Sequence, residues 1–158
     1  MTNGKQPQLS ILDTMQLPNE IIVDLMKAVF LQGSKFKFQA KGASMEPFIR
    51  DGDILTVVSI NEVAPKIGKV VAYIDPQSRK MILHRIVAED GSSFLIKGDN
   101  SASREDGWVA KAQLLGVVSS VEREEHEVRL GLKFGGRLIA FLSKNKLLTR
   151  IINRIGRL

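Results

Sequence analysis

The chain has 158 residues, enough for one domain with an appendage, and a quarter of them are charged, as is ordinary for a globular protein. The absence of cysteine excludes disulfides, thiolate metal sites and a thiol nucleophile, and two histidines are too few for a histidine-rich metal centre. Residues 128–158 hold eight basic residues and no acid, so the net charge of +6 becomes −2 for residues 1–127 once those eight are subtracted, which excludes a uniformly basic nucleic-acid binder.

The N-terminal region is predicted to be a polar leader followed by one helix. Residues 1–18 are polar, and neither they nor any later stretch provides a secretory signal or the ~20 apolar residues that span a bilayer. We therefore expect a cytoplasmic or peripheral membrane protein. Over residues 19–32, large apolar residues recur at three- and four-residue spacing, which predicts an amphipathic helix with Asn19 as its N-cap.

The middle of the chain changes to a strand pattern. Phe36 and Phe38 alternate with polar residues, and short β-branched runs separated by Gly, Pro and Asp turns follow. After the strand at Phe36, the predicted strands span residues 54–58, 70–74, 80–87, 93–97, 114–121 and 127–132. This series predicts a mainly β body over residues 19–132, built as a coiled sheet or a partly open barrel.

The C-terminal region, residues 133–158, is predicted to form a basic amphipathic helix. Leu138, Phe141 and Leu142 share a face with later leucines and isoleucines, and basic residues fall on the opposite face. One interpretation is an interfacial helix in which residues 134–158 contact an anionic membrane surface. The alternative is a helix packed on the body with its basic side in solvent. Specific nucleic-acid binding is not expected, because no aromatic side chain alternates with the basic ones to stack on bases.

Two segments of the β body carry a candidate nucleophile and base. KGASMEPFIRDGD, at residues 41–53, puts Ser44 on a tight turn after a strand, where Gly42 allows close backbone approach and Pro47 fixes the chain. His84 lies within a predicted strand, and imidazole is a suitable base for a serine near neutral pH. Either residue on its own is more often structural.

A third segment carries two candidate carboxylates. Asp99 lies in Lys97-Gly98-Asp99-Asn100, and Asp106 lies in the predicted turn over residues 104–108. A carboxylate near an imidazole can orient it and stabilise its cation, although Asp and Asn are also ordinary turn residues. The other histidine, His126, lies in a charged run that predicts a solvated connection between strands. The order of the three segments, more than any one of them, indicates chemistry.

Five blocks, GASMEPFIRDGD, GKVVAYI, ILHRIV, LIKGDN and LLGVVSSV, occur in this order over residues 36–121. With these blocks the chain resembles the signal peptidase family and, more distantly, the self-cleaving repressor peptidases that share its fold. The resemblance implies a serine endopeptidase with the coiled β-sheet of that family and a polypeptide substrate. It further implies small residues at the first and third positions before the cut, and no metal or cofactor.

The resemblance also implies roles for single residues. Ser44 matches the nucleophile, and His84 matches the general base, a position where the endoplasmic-reticulum, archaeal and sporulation-type members carry histidine and typical bacterial members carry lysine. Asp99 matches the Gly-Asp-Asn motif, and Asp106 resembles the second downstream aspartate, at a spacing one residue longer. Either carboxylate is a candidate contact of His84, and Asp106 is favoured.

The residues around the nucleophile are implied in oxyanion and substrate binding: Gly42, Ala43, Met45 and Pro47. The sequence departs from the family in two ways. Many members carry a serine hydroxyl as an oxyanion donor two residues before the nucleophile, where this chain has Gly42. Most members also have a transmembrane anchor, which this sequence does not provide.

Two alternative functions remain open. A catalytically weak or inactive peptide-binding module would keep the fold, and Gly42 supports this reading. An autoproteolytic regulator would need a DNA-binding domain and a scissile site such as Ala-Gly ahead of the body. The residues before Phe36 are too few for that domain and contain no Ala-Gly, and the repressor peptidases carry lysine where His84 stands.

Overall fold

The structure, a computed structural model, describes residues 17–100, 105–129, 131 and 135–144. The elements are α1 (Asn19–Leu31), β1 (Phe36–Gln39), β2 (Ile54–Ser59), β3 (Val70–Ile74), β4 (Met81–Asp90), β5 (Ser93–Lys97), β6 (Glu105–Ala110), a 3₁₀ turn (Lys111–Gln113), β7 (Leu114–Arg123), β8 (His126–Glu127) and α2 (Gly136–Lys144). The mainly β prediction is confirmed, with one helix before the strands and one after them.

The strands form one antiparallel sheet whose two ends do not meet within the described residues. Its order is β1-β2-β7-β3-β4-β5-β6, and β8 pairs with the end of β7. The long strand β7 joins the two halves, because it pairs with β2 on one side and with β3 on the other. Of the two architectures that the sequence predicted, a coiled sheet and a partly open barrel, the protein therefore has the open sheet.

Apolar side chains on the two faces of the sheet form separate clusters. The cluster under α1 includes Met26 of the helix together with Phe38, Leu55 and Val118 from β1, β2 and β7. The second cluster is centred on β3, β4 and β5 and includes Tyr73. Neighbouring side chains of a strand point to opposite faces, so the central strands β2, β3 and β7 contribute to both clusters.

The two helices differ from the predictions in detail. Pro18, not Asn19, is the N-cap of α1; Asn19 is the first helical residue and makes no capping bond. The restriction that proline places on its own φ angle suits a residue at a helix start, which explains the shift by one position. In α2 the residues buried against the body are Ile139, Ala140 and Ser143, so Leu138 and Phe141 are not part of the packed face.

Two strand predictions were wrong. Glu105–Ala110, partly assigned to a turn, is the edge strand β6, which pairs with β5. Its two acids and one glycine have weak strand propensity, so pairing with a hydrophobic neighbour, not local sequence, makes it a strand. Of the described residues in the strand predicted over residues 127–132, Glu127 lies in β8, whereas Val128, Arg129 and Gly131 lie outside any strand.

Some predictions fall outside the described residues. These are the leader over residues 1–16 and the part of the C-terminal helix beyond Lys144. Neither α1 nor α2, the helices of the described ranges, has both the length and the apolar character to cross a membrane.

Candidate active site

The turn that carries Ser44 is anchored by buried apolar neighbours. Ser44 is exposed, whereas Met45 and Ile49 are buried in the cluster under α1. The N–H of Glu46 donates to the carbonyl of Ala43 at 3.2 Å, and the N–H of Ile49 donates to the carbonyl of Met45 at 3.0 Å. These bonds close a compact turn that keeps Ser44 at the surface while the next residue is fixed in the core.

Gly42 lies two residues before Ser44 in a backbone conformation that favours glycine. Its φ angle is +88°, in the left-handed region. An added Cβ would meet no heavy atom within 4 Å, so space does not exclude a side chain here. The N–H of Gly42 donates to Oδ1 of Asp51 at 2.8 Å, which fixes this conformation. The backbone angle, and not crowding, therefore favours glycine at position 42.

Asn100 connects the end of β5 to the Ser44 turn. Its backbone N–H donates to the carbonyl of Ser44 at 2.8 Å, and its side-chain Nδ2 donates to the carbonyl of Ala43 at 3.0 Å. Two successive carbonyls of the turn are thus held by one residue that is distant in sequence. The position of the Ser44 main chain consequently depends on the Gly-Asp-Asn turn as well as on its own neighbours.

His84 is buried on β4 at a point where, among the residues that the structure describes, a strand pairs with only one side of β4. It pairs with Val71 of β3, while β5 pairs with β4 only from Arg85 onward. His84 and Ser44 line the same cavity, which has a volume of about 380 Å³. The lining residues are Ala40, Lys41, Gly42, Ser44, Met45, Ile49, Leu55, Met81, Ile82, Leu83 and His84. Of the residues predicted around the nucleophile, Gly42 and Met45 are in this lining, whereas Ala43 and Pro47 are not.

Asp99, one of the two candidate partners of His84, binds Arg85. Nε of Arg85 donates to Oδ1 at 2.8 Å, and NH2 donates to Oδ2 at 2.6 Å, so both carboxylate oxygens accept from the guanidinium. Both side chains are fully buried. Because neighbouring side chains on a strand alternate, Arg85 and the imidazole of His84 point to opposite faces of β4. Asp99 is therefore occupied with Arg85 on the face away from His84.

Asp106, the other candidate partner, lies on β6 at an irregularity in the strand pairing. Lys97 pairs with Glu105 and Ile96 pairs with Gly107, so Asp106 is an extra residue in β6. A bulge of this kind accommodates one additional residue and redirects the local chain. β6 is two strands from β4, or about 10 Å across the sheet.

A second arginine–aspartate pair fixes the chain after the Ser44 turn. Nε and NH2 of Arg123 donate to the two carboxylate oxygens of Asp53 at 2.8 and 2.7 Å, and the N–H of Arg50 donates to Oδ2 at 2.8 Å. Burial by itself would raise the pKa of Asp53, but the hydrogen bonds from Arg123 and Arg50 outweigh it and hold the pKa below its usual value. Asp53 is consequently a stable anion at neutral pH.

A comparison with known protein families shows which family the chain belongs to. The family described as Peptidase S24-like matches residues 7–119, which include Ser44, His84, Asp99 and Asp106. The chain belongs to this family. No curated protein matches the chain. The predicted superfamily of self-cleaving repressor peptidases and signal peptidases is thereby supported, while the histidine-type signal-peptidase branch stays a prediction.

The S24-like body has a second cavity that adjoins the one at Ser44. Its volume is about 240 Å³, and it shares Lys41, Met81 and Leu83 with the first cavity. The other lining residues are Leu17, Asn19, Ile22, Phe38 and Gln39. The two cavities therefore lie side by side, one at Ser44 and the other at the start of α1.

Two positioning residues of the S24-like site were missed in the sequence. Asn100 holds the Ser44 turn, and Arg85 joins β4 to Asp99 and to the carbonyls of Gly68 and Gly131. Both could have been found from their positions in the sequence, because Arg85 directly follows His84 in the ILHRIV block and Asn100 directly follows Asp99 in the LIKGDN block. Within the described ranges, no group of three or more His, Asp or Glu side chains is arranged to hold a metal ion.

Proposed function

We propose that the chain is a serine endopeptidase in which Ser44 is the nucleophile and His84 is the general base. The observation that carries the proposal is that an exposed serine and a buried histidine, separated by forty residues, line one cavity of about 380 Å³. Membership of a peptidase family makes this arrangement more than a chance neighbourhood. A serine hydroxyl needs a base to attack an acyl carbon, and the imidazole of His84 is a side chain in this cavity suited to that work.

The reaction proceeds in two steps. The hydroxyl of Ser44 attacks the scissile carbonyl carbon while the imidazole of His84 takes its proton, and the resulting imidazolium then protonates the leaving amine. The C–N bond breaks and an ester to Ser44 remains. In the second step, His84 takes a proton from water and the resulting hydroxide attacks the ester carbonyl. The bond from the carbonyl carbon to Oγ of Ser44 then breaks, the imidazolium returns its proton to Oγ, and the carboxylic acid product is released.

The oxyanion of each tetrahedral intermediate needs preorganised donors. The N–H of Ser44 is the proposed donor, because the two carbonyls beside it are fixed by Asn100 and the turn cannot swing away. Gly42 contributes no hydroxyl, and a missing oxyanion donor elsewhere costs about 10²–10³ in rate. We therefore expect slower turnover than in relatives that carry a serine at this position.

The substrate binds as an extended segment along the open side of β4. The strand from Met81 to His84 pairs with β3 on one side, and on the other side the pairing of β4 with β5 covers only Arg85 to Asp90. An added peptide strand can hydrogen-bond to that open side and place its side chains in alternate pockets. Met45, Ile49 and Leu83 make the cavity wall beside Ser44 apolar, which suits a small uncharged residue before the cut.

The carboxylate assigned to His84 is Asp106. Both oxygens of Asp99 are engaged by Arg85 on the other face of β4, so Asp99 acts on the site through Arg85 and Asn100. The bulge in β6 at Asp106 provides a local departure from regular pairing, as strands near active sites often do. In this assignment Asp106→Asn lowers kcat, whereas Asp99→Asn acts first on folding.

Cleavage of peptides with alanine at the first and third positions before the cut tests the proposal. Ser44→Ala and His84→Ala should each lower kcat/KM by about 10³-fold or more. The matched controls are Ser92→Ala, in the turn between β4 and β5, and His126→Ala, on β8, both exposed; each should leave the rate unchanged. Equal turnover by all five proteins would reject the assignment, and no turnover by the wild type would favour the peptide-binding module.

Cleavage within the chain itself is a second candidate function. Leu17 and Asn19 line the cavity that adjoins the one at Ser44. The residues directly before α1 therefore lie beside that cavity. The family match begins at residue 7 and includes that segment. Intact-mass measurement of the incubated protein would reveal a first-order, concentration-independent cut that is absent in Ser44→Ala. A rate that rises with protein concentration would instead mean cleavage between molecules.

A further inference from the structure

Helix α2 is fixed on the β body by close contacts. Ala140 packs with Val87 and Leu95 on β4 and β5. Nζ of the buried Lys97 donates to the carbonyl of Ser143 at 2.9 Å, which satisfies a carbonyl near the C-terminal end of the helix. At the other end, a Cβ added to Gly136 would lie 2.7 Å from the carbonyl oxygen of Gly68, so only glycine allows this approach. The orientation of α2 is therefore set by the body.

The outward side of α2 combines large apolar and basic side chains. Leu138 is 61% exposed and Phe141 is 60% exposed, and they lie three residues apart on neighbouring turns. Arg137 and Lys144 flank them and are also exposed. A helix that packs on a protein normally turns polar residues outward, so this composition indicates that the outward side contacts something apolar and anionic.

Trp108 extends this surface onto the sheet. It is 52% exposed on the edge strand β6 and pairs directly with Leu95 of β5. Partners in a pair share a face of the sheet, and Leu95 contacts Ala140 of α2, so Trp108 lies on the face that α2 covers. We define the α2 surface as Arg137, Leu138, Phe141, Lys144 and Trp108.

The charge of the surrounding sequence is entirely positive. Residues 128–158 contain eight basic residues and no acid, and four of the basic residues follow Lys144. Juxtaposed apolar and basic groups suit the boundary between lipid headgroups and acyl chains, where tryptophan is also favoured. A protein partner would have to offer an apolar patch surrounded by acids, whereas an anionic bilayer supplies both features at every point.

We propose that the α2 surface docks on an anionic lipid bilayer. Leu138, Phe141 and Trp108 enter the interface, and Arg137 and Lys144 contact lipid phosphates and other anionic headgroups. Because Lys97 and Gly68 fix α2 on the body, docking through this surface also fixes the orientation of the whole domain on the membrane. The proposal does not depend on the peptidase assignment.

Vesicle binding by the full chain tests the proposal directly. Trp108 is the one tryptophan of the chain, so its emission reports on the α2 surface without a label. With vesicles of phosphatidylcholine and about 30% phosphatidylglycerol, we expect co-sedimentation and a blue shift of that emission. Pure phosphatidylcholine vesicles should bind at least about tenfold more weakly, and added salt should weaken binding to the anionic ones.

Two double variants separate the contributions of the apolar and the basic side chains to vesicle binding. Leu138→Ala with Phe141→Ala should lower partitioning by about tenfold or more, and Arg137→Gln with Lys144→Gln should lower it by about tenfold. The matched controls are Leu31→Ala, which removes a 90% exposed leucine at the end of α1, and Lys27→Gln with Lys35→Gln. The controls should bind as the wild type does, and all variants should melt at the same temperature because the altered side chains are exposed.

Three outcomes would overturn the proposal. The first is unchanged partitioning of both α2 double variants, and the second is equal binding to neutral and anionic vesicles. The third is a dimer, detected by sedimentation velocity without lipid, that Leu138→Ala with Phe141→Ala dissociates; the α2 surface would then belong to a second copy of the chain.

Discussion

Two bidentate arginine–aspartate pairs hold the loops around Ser44, and they differ in their burial. Arg85 and Asp99 are 0% exposed, whereas Arg123 is 28% exposed and Asp53 is 2% exposed. The first pair connects β4 to the Gly-Asp-Asn turn, and the second connects β7 to the turn that follows Ser44. Asp99 directly precedes Asn100, which donates to the carbonyl of Ala43 in the Ser44 turn. Asp53 accepts from the N–H of Arg50, which lies in the segment that follows this turn.

The difference concerns what remains when one partner is removed. A charge that has lost its partner in a fully buried pair cannot reach water, so the loss is large even where the intact pair itself adds little stability. In the second pair, part of the guanidinium of Arg123 is already solvated, and Asp53 keeps the N–H of Arg50 as a donor. The buried pair therefore sets whether the site forms, and the partly exposed pair adjusts its stability.

The largest effect is expected for Asp99→Asn. It leaves the guanidinium of Arg85 buried without a counter-charge, so the free energy of unfolding should fall by about 3–5 kcal/mol in urea denaturation. The matched control is Glu89→Gln, which breaks the exposed pair with Lys111 and should cost under about 1 kcal/mol. Equal losses in the two variants would show that burial does not distinguish them.

Arg123→Gln should have an intermediate effect. Asp53 loses two charge-assisted hydrogen bonds but keeps the one from Arg50, which predicts a loss of about 2 kcal/mol in the free energy of unfolding. Lys37→Gln, which breaks the exposed pair with Glu122, is the control and should be nearly neutral. A loss as large as that of Asp99→Asn would contradict the comparison between the pairs.

The Asp53 pair should also give a smaller, pH-dependent effect. The folded-state pKa of Asp53 is lowered from 3.8, so its contribution is present above the unfolded pKa and is lost as the pH falls through the folded one. The stability difference between wild type and Arg123→Gln should therefore shrink as the pH falls below the unfolded pKa of 3.8 and on through the lower folded one. Thermal melts across this range measure it, and a difference that grows in acid would be contrary to the expected sign.

The smallest stability effect is expected for Asn100→Ala. It removes the hydrogen bond from Nδ2 to the carbonyl of Ala43 but keeps the backbone bond to the carbonyl of Ser44. The free energy of unfolding should therefore fall by about 1 kcal/mol. If the peptidase assignment holds, kcat should fall by about tenfold because the Ser44 turn is less well positioned, with little change in KM. Asn61→Ala, at an exposed turn, is the control and should change neither value.

The strand pattern was predictable wherever hydrophobic residues repeat along it. β2, β3 and β5 have continuous apolar runs, and their bounds agree with the prediction to within a residue. β6 was not predictable from its own residues, because Glu105, Asp106 and Gly107 disfavour strands and the pairing with β5 compensates. Local propensity identifies strands that bury both faces better than it identifies edge strands.

The candidate site divides in the same way. Ser44 and His84 were singled out by residue type and motif, and the structure brings them to one cavity. The preference between Asp99 and Asp106 rested on resemblance, and the bidentate bond from Arg85 to Asp99 adds a physical reason for it. The choice of partner depends on which face of β4 each side chain occupies, and that follows from strand register, which motifs do not record.

The sequence by itself determined the chemistry available to this protein: a serine on a glycine-bounded turn, a histidine within an apolar strand, and a cationic C-terminal region. These features are local, since they depend on residue type and on short-range periodicity. Only the tertiary structure decided that Asp99 binds Arg85, that Asn100 holds the Ser44 turn, and that Leu138 and Phe141 point away from the body. Such pairings join residues far apart in the chain, and the packing of the sheet, not any local pattern, brings them together.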